Sequence, residues 1–522
     1  MERSRSRSRW LALTVLCAAT MMIILDGTIV TVALPTIQRD LGFSPSGLAW
    51  VVNAYLIAFG GLLLLSGRLG DLAGGKRIFL AGLIVFTAAS LLCGFSASQP
   101  MLIAARFVQG AGGAMASAVS LGMIVRLFPE PSQRAKALGA YSFTGAGGAS
   151  VGLVLGGVLT QALSWHWIFF VNAPIGAAAI AAGWRLLDDE RGIGLRAGAD
   201  AAGAVLVTAG LMLGVYAIIE TTRYGWGSAR TLGTAAAAVA LLAGFFVRQH
   251  LARTPLLPLR IFRSRNVWGA NAVQALTVAA AFGFQVLIPQ YMQRVLGYGA
   301  AEAGTGMLPA AVVIGTLSVG LSARLIARLG PRNLLMAGLA PIAAGFALLT
   351  GLPVAGAYAT SLLPTMLLVG GFGLAFPAMI TLAMSGASAA DAGVASGLVN
   401  TTQQVGAALG VAVLSTLAAS RTGHLLASGR PPAAALTGGY HLAFGISAGL
   451  TAAALVLAAV VLRPAQPPDR PAPVARPARR TVRAGPGEAG YSEPGWRLLV
   501  RYLPGVMPRA RVNARLKAYS EV

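Results

Sequence analysis

Two ionisable side chains lie inside long uncharged apolar runs: Asp26 in the run from 11 to 34, and Arg106 in the run from 100 to 125. A charge held in hydrocarbon costs on the order of 3 kcal/mol or more. One that persists there faces a cavity or pairs with an opposite charge, and it marks a working site. Counted at about 1.5 Å per residue, Asp26 lies roughly 13 Å from the Pro35 end of its run and Arg106 roughly 10 Å from the matching end of its own. Similar depth lets the two meet. The chemistry such a pair offers is reversible proton binding, because moving Arg106 or drying the site changes how readily Asp26 takes a proton. On this reading Asp26 carries a coupling proton and Arg106 tunes it; the plainer reading is a fixed ion pair that stabilises the helices.

Other candidates are weaker. Glu220 ends a further run beside Arg223, Tyr224 and Trp226, so it reads either as a third proton site or as a solvated helix end at an interface. Asp200 opens the same run and reads as an N-cap. Asn53, Gln109, Gln274, Asn400 and Gln403, with Tyr55 and Tyr291, are candidates to line a substrate cavity. Interhelical hydrogen bonds and ring packing are the plain alternatives. Asn172, Asn271 and Gln404 belong to the same polar set. His166 stands apart from other ligand types, so no metal site is expected. Cys17 and Cys93 both fall within apolar runs and imply no disulfide framework. No glycine-rich phosphate-cradling loop is present, which argues against direct use of ATP.

The elements that position these residues follow from composition. Of the 522 residues, 56% are apolar and 11% charged, and mean hydropathy is +0.71, which excludes a water-soluble globular protein. A helix needs about 20 apolar residues to cross a bilayer. Fourteen runs meet that need, at about 11–34, 47–67, 78–98, 100–125, 138–163, 165–185, 200–220, 231–249, 267–292, 304–326, 333–351, 359–385, 395–418 and 440–462. The expected fold class is therefore all-α integral membrane with 14 transmembrane spans.

The net charge of +24 invites a nucleic-acid reading, but its distribution gives another. With the N-terminus inside, 33 of the 40 Lys and Arg fall on the cytoplasmic side and 6 outside. That bias orients the chain with both termini in the cytoplasm and excludes nucleic acid as the partner. Residues 1–10 form a basic N-terminus, and the first run is read as a retained helix rather than a cleaved signal. Residues 250–266 form a basic linker with Pro255 and Pro258. Residues 463–522 carry 10 Pro, 12 cations and 4 acids, the composition of a disordered tail. Within the tail, residues 496–503 are a candidate interfacial helix on the anionic inner leaflet.

Six motifs spread along 11–462 carry a family resemblance. The turn from Gly67 to Arg77 (GRLGDLAGGKR), with Gly67, Asp71, Gly74 and Arg77, resembles the signature loop of the major facilitator superfamily, although Leu72 and Gly75 stand where basic residues are usual. The run LDGTIV at 25–30 leading to Ala33-Leu34-Pro35 resembles the first-span motif of its fourteen-span drug:proton antiporters. Arg106-Phe107-Val108-Gln109-Gly110 is similar to their span-four motif, and Trp165 to Gly176 to the start of span six. Pro289-Gln290-Tyr291, and Ser396-Gly397 with Asn400, Gln403 and Gly406, resemble stretches of the C-terminal half.

The resemblance implies two six-helix bundles, 11–185 and 267–462, joined by two additional helices within 200–249. Span five repeats Gly148, Gly152 and Gly156 on one face, which fits either a sliding contact between bundles or a static packing face. The family's antiporter motif lies in this span, but Leu153 replaces its usual proline. The implied function is a proton-coupled exporter of small amphipathic or cationic organic compounds by alternating access, in the cell membrane. It is not an enzyme, has no cofactor beyond the proton gradient, and is expected to be monomeric. The alternatives are a transporter of one specific metabolite on the same scaffold and a non-transporting membrane scaffold.

Overall fold

A computed structural model describes residues 2–189, 192, 194, 199–252, 255–385 and 392–462. The tail from 463 onward, with its candidate interfacial helix, lies outside the described residues, as do the side chains of residues 1–8. Every regular element among the described residues is helical. In chain order they are α1 (Glu2–Leu41), α2 (Ala49–Ala73), α3 (Gly75–Gly94), α4 (Gln99–Leu127), α5 (Pro131–Ala162), α6 (Trp167–Phe170), α7 (Asn172–Leu186), α8 (Ala201–Tyr224), α9 (Ala229–Leu251) and α10 (Arg265–Arg294). There follow α11 (Ala300–Gly306), α12 (Leu308–Thr316), α13 (Ser322–Leu329), α14 (Pro331–Leu349), α15 (Leu363–Val369), α16 (Phe372–Ser385), α17 (Ala392–Ala427) and α18 (Pro432–Val461). A helix satisfies each backbone N–H and C=O within its own segment, as a span in lipid requires where no closed barrel is formed.

Twelve of the described helical stretches are long and apolar enough to cross a membrane. The other two expected runs fall on α5, whose described apolar stretch is Val151–Ala162, and on α11 to α13. That second segment breaks at Met307 and through a π-helical turn at Leu317–Leu321. The helices also overrun their apolar runs. α1 continues through Pro35 to Leu41, and α17 extends from Ala392 to Ala427, because polar ends can project from the hydrocarbon without breaking backbone hydrogen bonds.

α1 begins and α18 ends at one face, called here the terminal face; Trp10 packs on Phe128 beyond α4 there, with ring centroids 5.0 Å apart. The opposite face carries Trp167 and Trp226. Large apolar side chains such as Val239, Val247 and Val460 are more than half exposed, and so are Trp184 and Trp226. An outward-facing apolar belt rimmed by Trp is the surface of a multi-pass membrane protein.

The interior forms two main clusters of buried side chains. One is built from α1 to α8 and reaches Val278 and Val286 of α10 and Val411 of α17. The other is built from α10 to α18 and takes in Val32 and Leu153. α8 lies against α2 and α17, contributing Leu211, Val215 and Ile219 to the first cluster. Its Thr222 hydroxyl meets that of Ser46 at 3.0 Å. α9 packs on α8 and buries Phe245 in a cluster with Leu257, Ile261, Val267 and Leu398, while most of its other side chains face outward. Asp200 does cap α8, accepting from Gly203 N at 2.9 Å, and it also accepts from Arg248 at 2.5 Å and Gln249 at 2.8 Å. Gln249 in turn accepts from Leu257 N at 3.0 Å, which fastens the 250–266 linker to the α8–α9 pair.

The signature turn is shorter than the sequence suggests. Gly67 and Asp71 are still within α2, and the reversal uses one residue, Gly74, at φ 100°, a left-handed conformation that glycine adopts without strain. Asp71 and Arg77 are exposed. Lys76 pairs with the exposed Asp189 at 3.6 Å.

The glycine stripe of α5 faces α1, not the seam between the two clusters. A Cβ at Gly148, Gly152 or Gly156 would lie 3.0, 2.9 or 2.6 Å from the carbonyl oxygens of Met21, Leu25 and Ile29 respectively. The stripe is therefore a packing face within the N-terminal half, which corrects the expectation of a sliding contact between bundles. The contact across the seam uses the next glycine around the helix, Gly157, where a Cβ would come 2.6 Å from the Ala300 carbonyl oxygen.

Candidate functional site

Asp26 and Arg106 meet. Arg106 Nη1 donates to Asp26 Oδ2 at 2.6 Å, with Asp26 0% and Arg106 1% exposed. The apolar register of α1 and α4 puts both side chains on inward stripes, and neighbouring helices complete their hydrogen bonds. Asp26 Oδ1 accepts from Gln109 Nε2 at 2.8 Å and from Asn172 Nδ2 at 2.9 Å. The guanidinium also donates to Gln109 Oε1 at 2.7 Å and through Nε to the Val51 carbonyl oxygen at 3.0 Å. Its carbon lies 4.4 Å from the ring centre of Tyr55 and 5.8 Å from that of Phe169, a cation–π sandwich that suits a desolvated arginine.

A further ring of groups holds these in place. Asn172 donates to Ser90 Oγ at 3.0 Å, Ser90 donates to the Phe169 carbonyl oxygen at 2.9 Å, and Cys93 Sγ approaches Gln109 Oε1 at 3.6 Å. Asn172, Ser90, Cys93 and Phe169 come from α7, α3 and α6, so the pair is a node joining six helices. Breaking a buried pair by removing one partner costs about 3–5 kcal/mol. The carboxylate accepts from three donors, two on Oδ1 and one on Oδ2, so its charge is held by Arg106, Gln109 and Asn172 together.

Three of the expected cavity residues belong to this node or its edge. Gln109 bridges both charges, and Tyr55 covers Arg106. Asn53 is fully buried nearby on α2, with both amide atoms lacking hydrogen-bond partners, as do the Tyr55 hydroxyl and Asn172 Oδ1. Such unmatched polar atoms are costly in a dry interior and mark a place where hydrogen bonds rearrange. Tyr291 is fully buried, and its hydroxyl donates to the Pro353 carbonyl oxygen at 2.6 Å, a structural role in the C-terminal half. Gln274 is 1% exposed and donates to Val399 O at 3.3 Å. Asn400 and Gln403 are half-buried on α17. Glu220 lies at the far end of α8 within the field of Arg230, which donates to Tyr216 and Tyr224 hydroxyls at 2.9 and 2.8 Å; no α8 residue takes part in the Asp26 node. Ser90 and Cys93 carry no sequence signal for this role, because ordinary small residues in apolar runs announce no partner.

The halves are joined at the face opposite the termini. Gln293 Nε2 donates to Val32 O at 2.9 Å, Ala301 N to Gln161 Oε1 at 3.0 Å, and Arg294 to Gln38 Oε1. Beside Arg294 is a cavity of about 140 Å³ between Leu34 and Leu48 on one side and Gln290, Ser415 and Tyr440 on the other.

A helical membrane body with two packed cores, a bonded seam at one face and a sealed charge node in one half defines a membrane transporter rather than an enzyme. The model of the Major Facilitator Superfamily matches residues 16–411, and the chain belongs to that family. It is 40% identical over 462 residues to the puromycin resistance protein pur8 of Streptomyces alboniger, covering 87% of this chain and 91% of that one. It is 39% identical to the cephamycin export protein CmcT of Amycolatopsis lactamdurans, covering 89% and 94%. Among solved structures, the fold matches the POT family transporter PepTSo with a TM-score of 0.64 at 15% identity, over 87% of this chain and 97% of that one.

Proposed function

We propose that this protein is a proton-coupled exporter of small amphipathic organic compounds, exchanging cargo for protons by alternating access. The observation that carries the proposal is the Asp26–Arg106 node, a carboxylate sealed at 0% exposure with three donors. A fixed strut would not require a titratable group at such cost, whereas a proton carrier does. Relatives named for resistance to, or export of, one compound each, puromycin and cephamycin, favour outward movement and a dedicated rather than broad cargo.

On this reading α5 and the broken segment α11 to α13 complete fourteen spans. α1 to α7 and α10 to α18 form the two moving bundles, with α8 and α9 between them. The terminal face, which collects most cations, is cytoplasmic, and the protein sits in the cell membrane. The bonds at the far seam then describe a chain closed to the outside. Asp26→Asn, expressed in a host lacking its own drug pumps, is expected to remain in the membrane at normal level and to lose pH-gradient-driven efflux. Undiminished gradient-driven efflux by Asp26→Asn would reject proton coupling through this residue.

A further inference from the structure

We infer that the cavity beside Arg294 is a site for the anionic end of the cargo, so that the exported compounds carry a carboxylate or similar acceptor group rather than a positive charge. The inference rests on the exporter reading and narrows it.

The cavity lies in the far seam, on the path that opens when the halves part. Its charged member is Arg294, a half-buried guanidinium at the end of α10. Arg294 donates to Gln38 of the N-terminal half and faces the Tyr440 hydroxyl, while Arg39 lies close enough to add its positive field. Across the same cavity Ser415 is 7% exposed and its hydroxyl has no hydrogen-bond partner. A cation and an idle hydroxyl in one cavity with the apolar Leu34 and Leu48 form the lining expected for the acidic end of an amphipathic molecule. A volume of about 140 Å³ is close to the roughly 150 Å³ that holds one benzene ring, so the site takes one end of the cargo. When the halves part, Gln38 leaves with the N-terminal half, and Arg294 exchanges that bond for one to the cargo.

Within this cavity a cationic cargo finds no carboxylate. Among the described residues, the carboxylate buried in mid-span is Asp26, whose oxygens are occupied by Arg106, Gln109 and Asn172. At the far face Asp40 accepts from Trp165, Glu302 caps Gly299 and Glu220 lies near the end of α8, and none of them lines this cavity, although Asp40 lines a separate one beside His166 and Trp167.

Fluorescein and rhodamine 123 share one ring system and differ in charge, which makes them suitable probes for efflux by the full-length protein in a pump-deficient host. Wild type is expected to export fluorescein at least about tenfold faster than rhodamine 123. Arg294→Gln should lose about tenfold or more of the fluorescein rate, while Arg294→Lys keeps most of it. Ser415→Leu fills the cavity without altering charge and should give the same loss, which preserves the test if Arg294→Gln fails to reach the membrane. Preferential efflux of rhodamine 123, or wild-type fluorescein efflux by membrane-resident Arg294→Gln or Ser415→Leu, would overturn the inference. Efflux of other compounds with none of fluorescein would also overturn it and leave the exporter reading standing. Absence of gradient-driven efflux of any compound would remove both.

Discussion

At the scale of single residues, the Asp26 node behaves as a closed circuit in which each donor has a measurable share. Gln109 is bonded to both charges, and a hydrogen bond to a charged group is worth about 1.5–3 kcal/mol. Gln109→Leu is therefore expected to slow gradient-driven efflux about ten- to a hundredfold and to lower the thermal midpoint of the purified protein, whereas Gln109→Glu should shift the pH at which efflux is half-maximal. An unchanged pH profile in Gln109→Glu would mean that the node does not carry the coupling proton. Asp200 offers a separate test outside the spans. Burial opposes its charge, but hydrogen bonds from Arg248, Gly203 and Gln249 outweigh that and hold its carboxyl below the usual carboxylate range. The stability it contributes is thus present above about pH 4, the unfolded value, and is lost as pH falls through the lower folded value. Thermal melts of wild type and Asp200→Asn should converge on acidification. The meeting of Asp26 with Arg106 was legible from depth alone. The roles of Ser90 and the Val51 carbonyl oxygen were not, because a backbone acceptor and a lone hydroxyl have no sequence signature.

At the scale of elements, α5 separates two kinds of glycine contact that look alike in one dimension. Gly148, Gly152 and Gly156 bring α5 onto the backbone of α1, and Gly157 brings it onto Ala300 across the seam. Helix–helix packing in lipid depends on such close approach. Gly152→Val pushes a side chain into the Leu25 carbonyl and Thr28, and it is expected to reduce the amount of folded protein. Gly157→Val should leave the N-terminal half assembled but hold the far face apart. A cysteine pair at Gln161 and Ala301, whose side chain and backbone already meet at 3.0 Å, reports this: crosslinking is expected in the parent and at least about fivefold less in Gly157→Val. Equal crosslinking would show that Gly157 does not set the seam. The period of the stripe was visible in the chain, but its partner was not, since a four-residue repeat names a face and leaves open which helix covers it.

At the scale of the whole molecule, the proposed alternating access requires an oriented chain and an interface able to open, and the charge excess and the seam are the features that would supply them. Single cysteines placed at exposed Arg77 and exposed Trp226 should be labelled by a membrane-impermeant reagent from opposite sides, with Trp226→Cys reached from outside intact cells; the reverse pattern would invert the proposed direction of transport. By itself the sequence determined the membrane class, most of the helical spans and the identity of the central charge pair. Each of these follows from hydropathy, helix rise or the cost of a charge in hydrocarbon, which are properties of a segment and its solvent. Tertiary structure alone decided that Gln109 serves the node rather than a cavity and that Tyr291 braces the C-terminal half. It also decided that the glycine stripe faces α1 and that Arg294 spans the far seam. These are facts about which surfaces meet, and in a bilayer many helix faces are equally apolar. Hydrophobicity therefore drives every span into the membrane without choosing its neighbours, and the choice falls to close packing and a few polar contacts between segments distant in the chain.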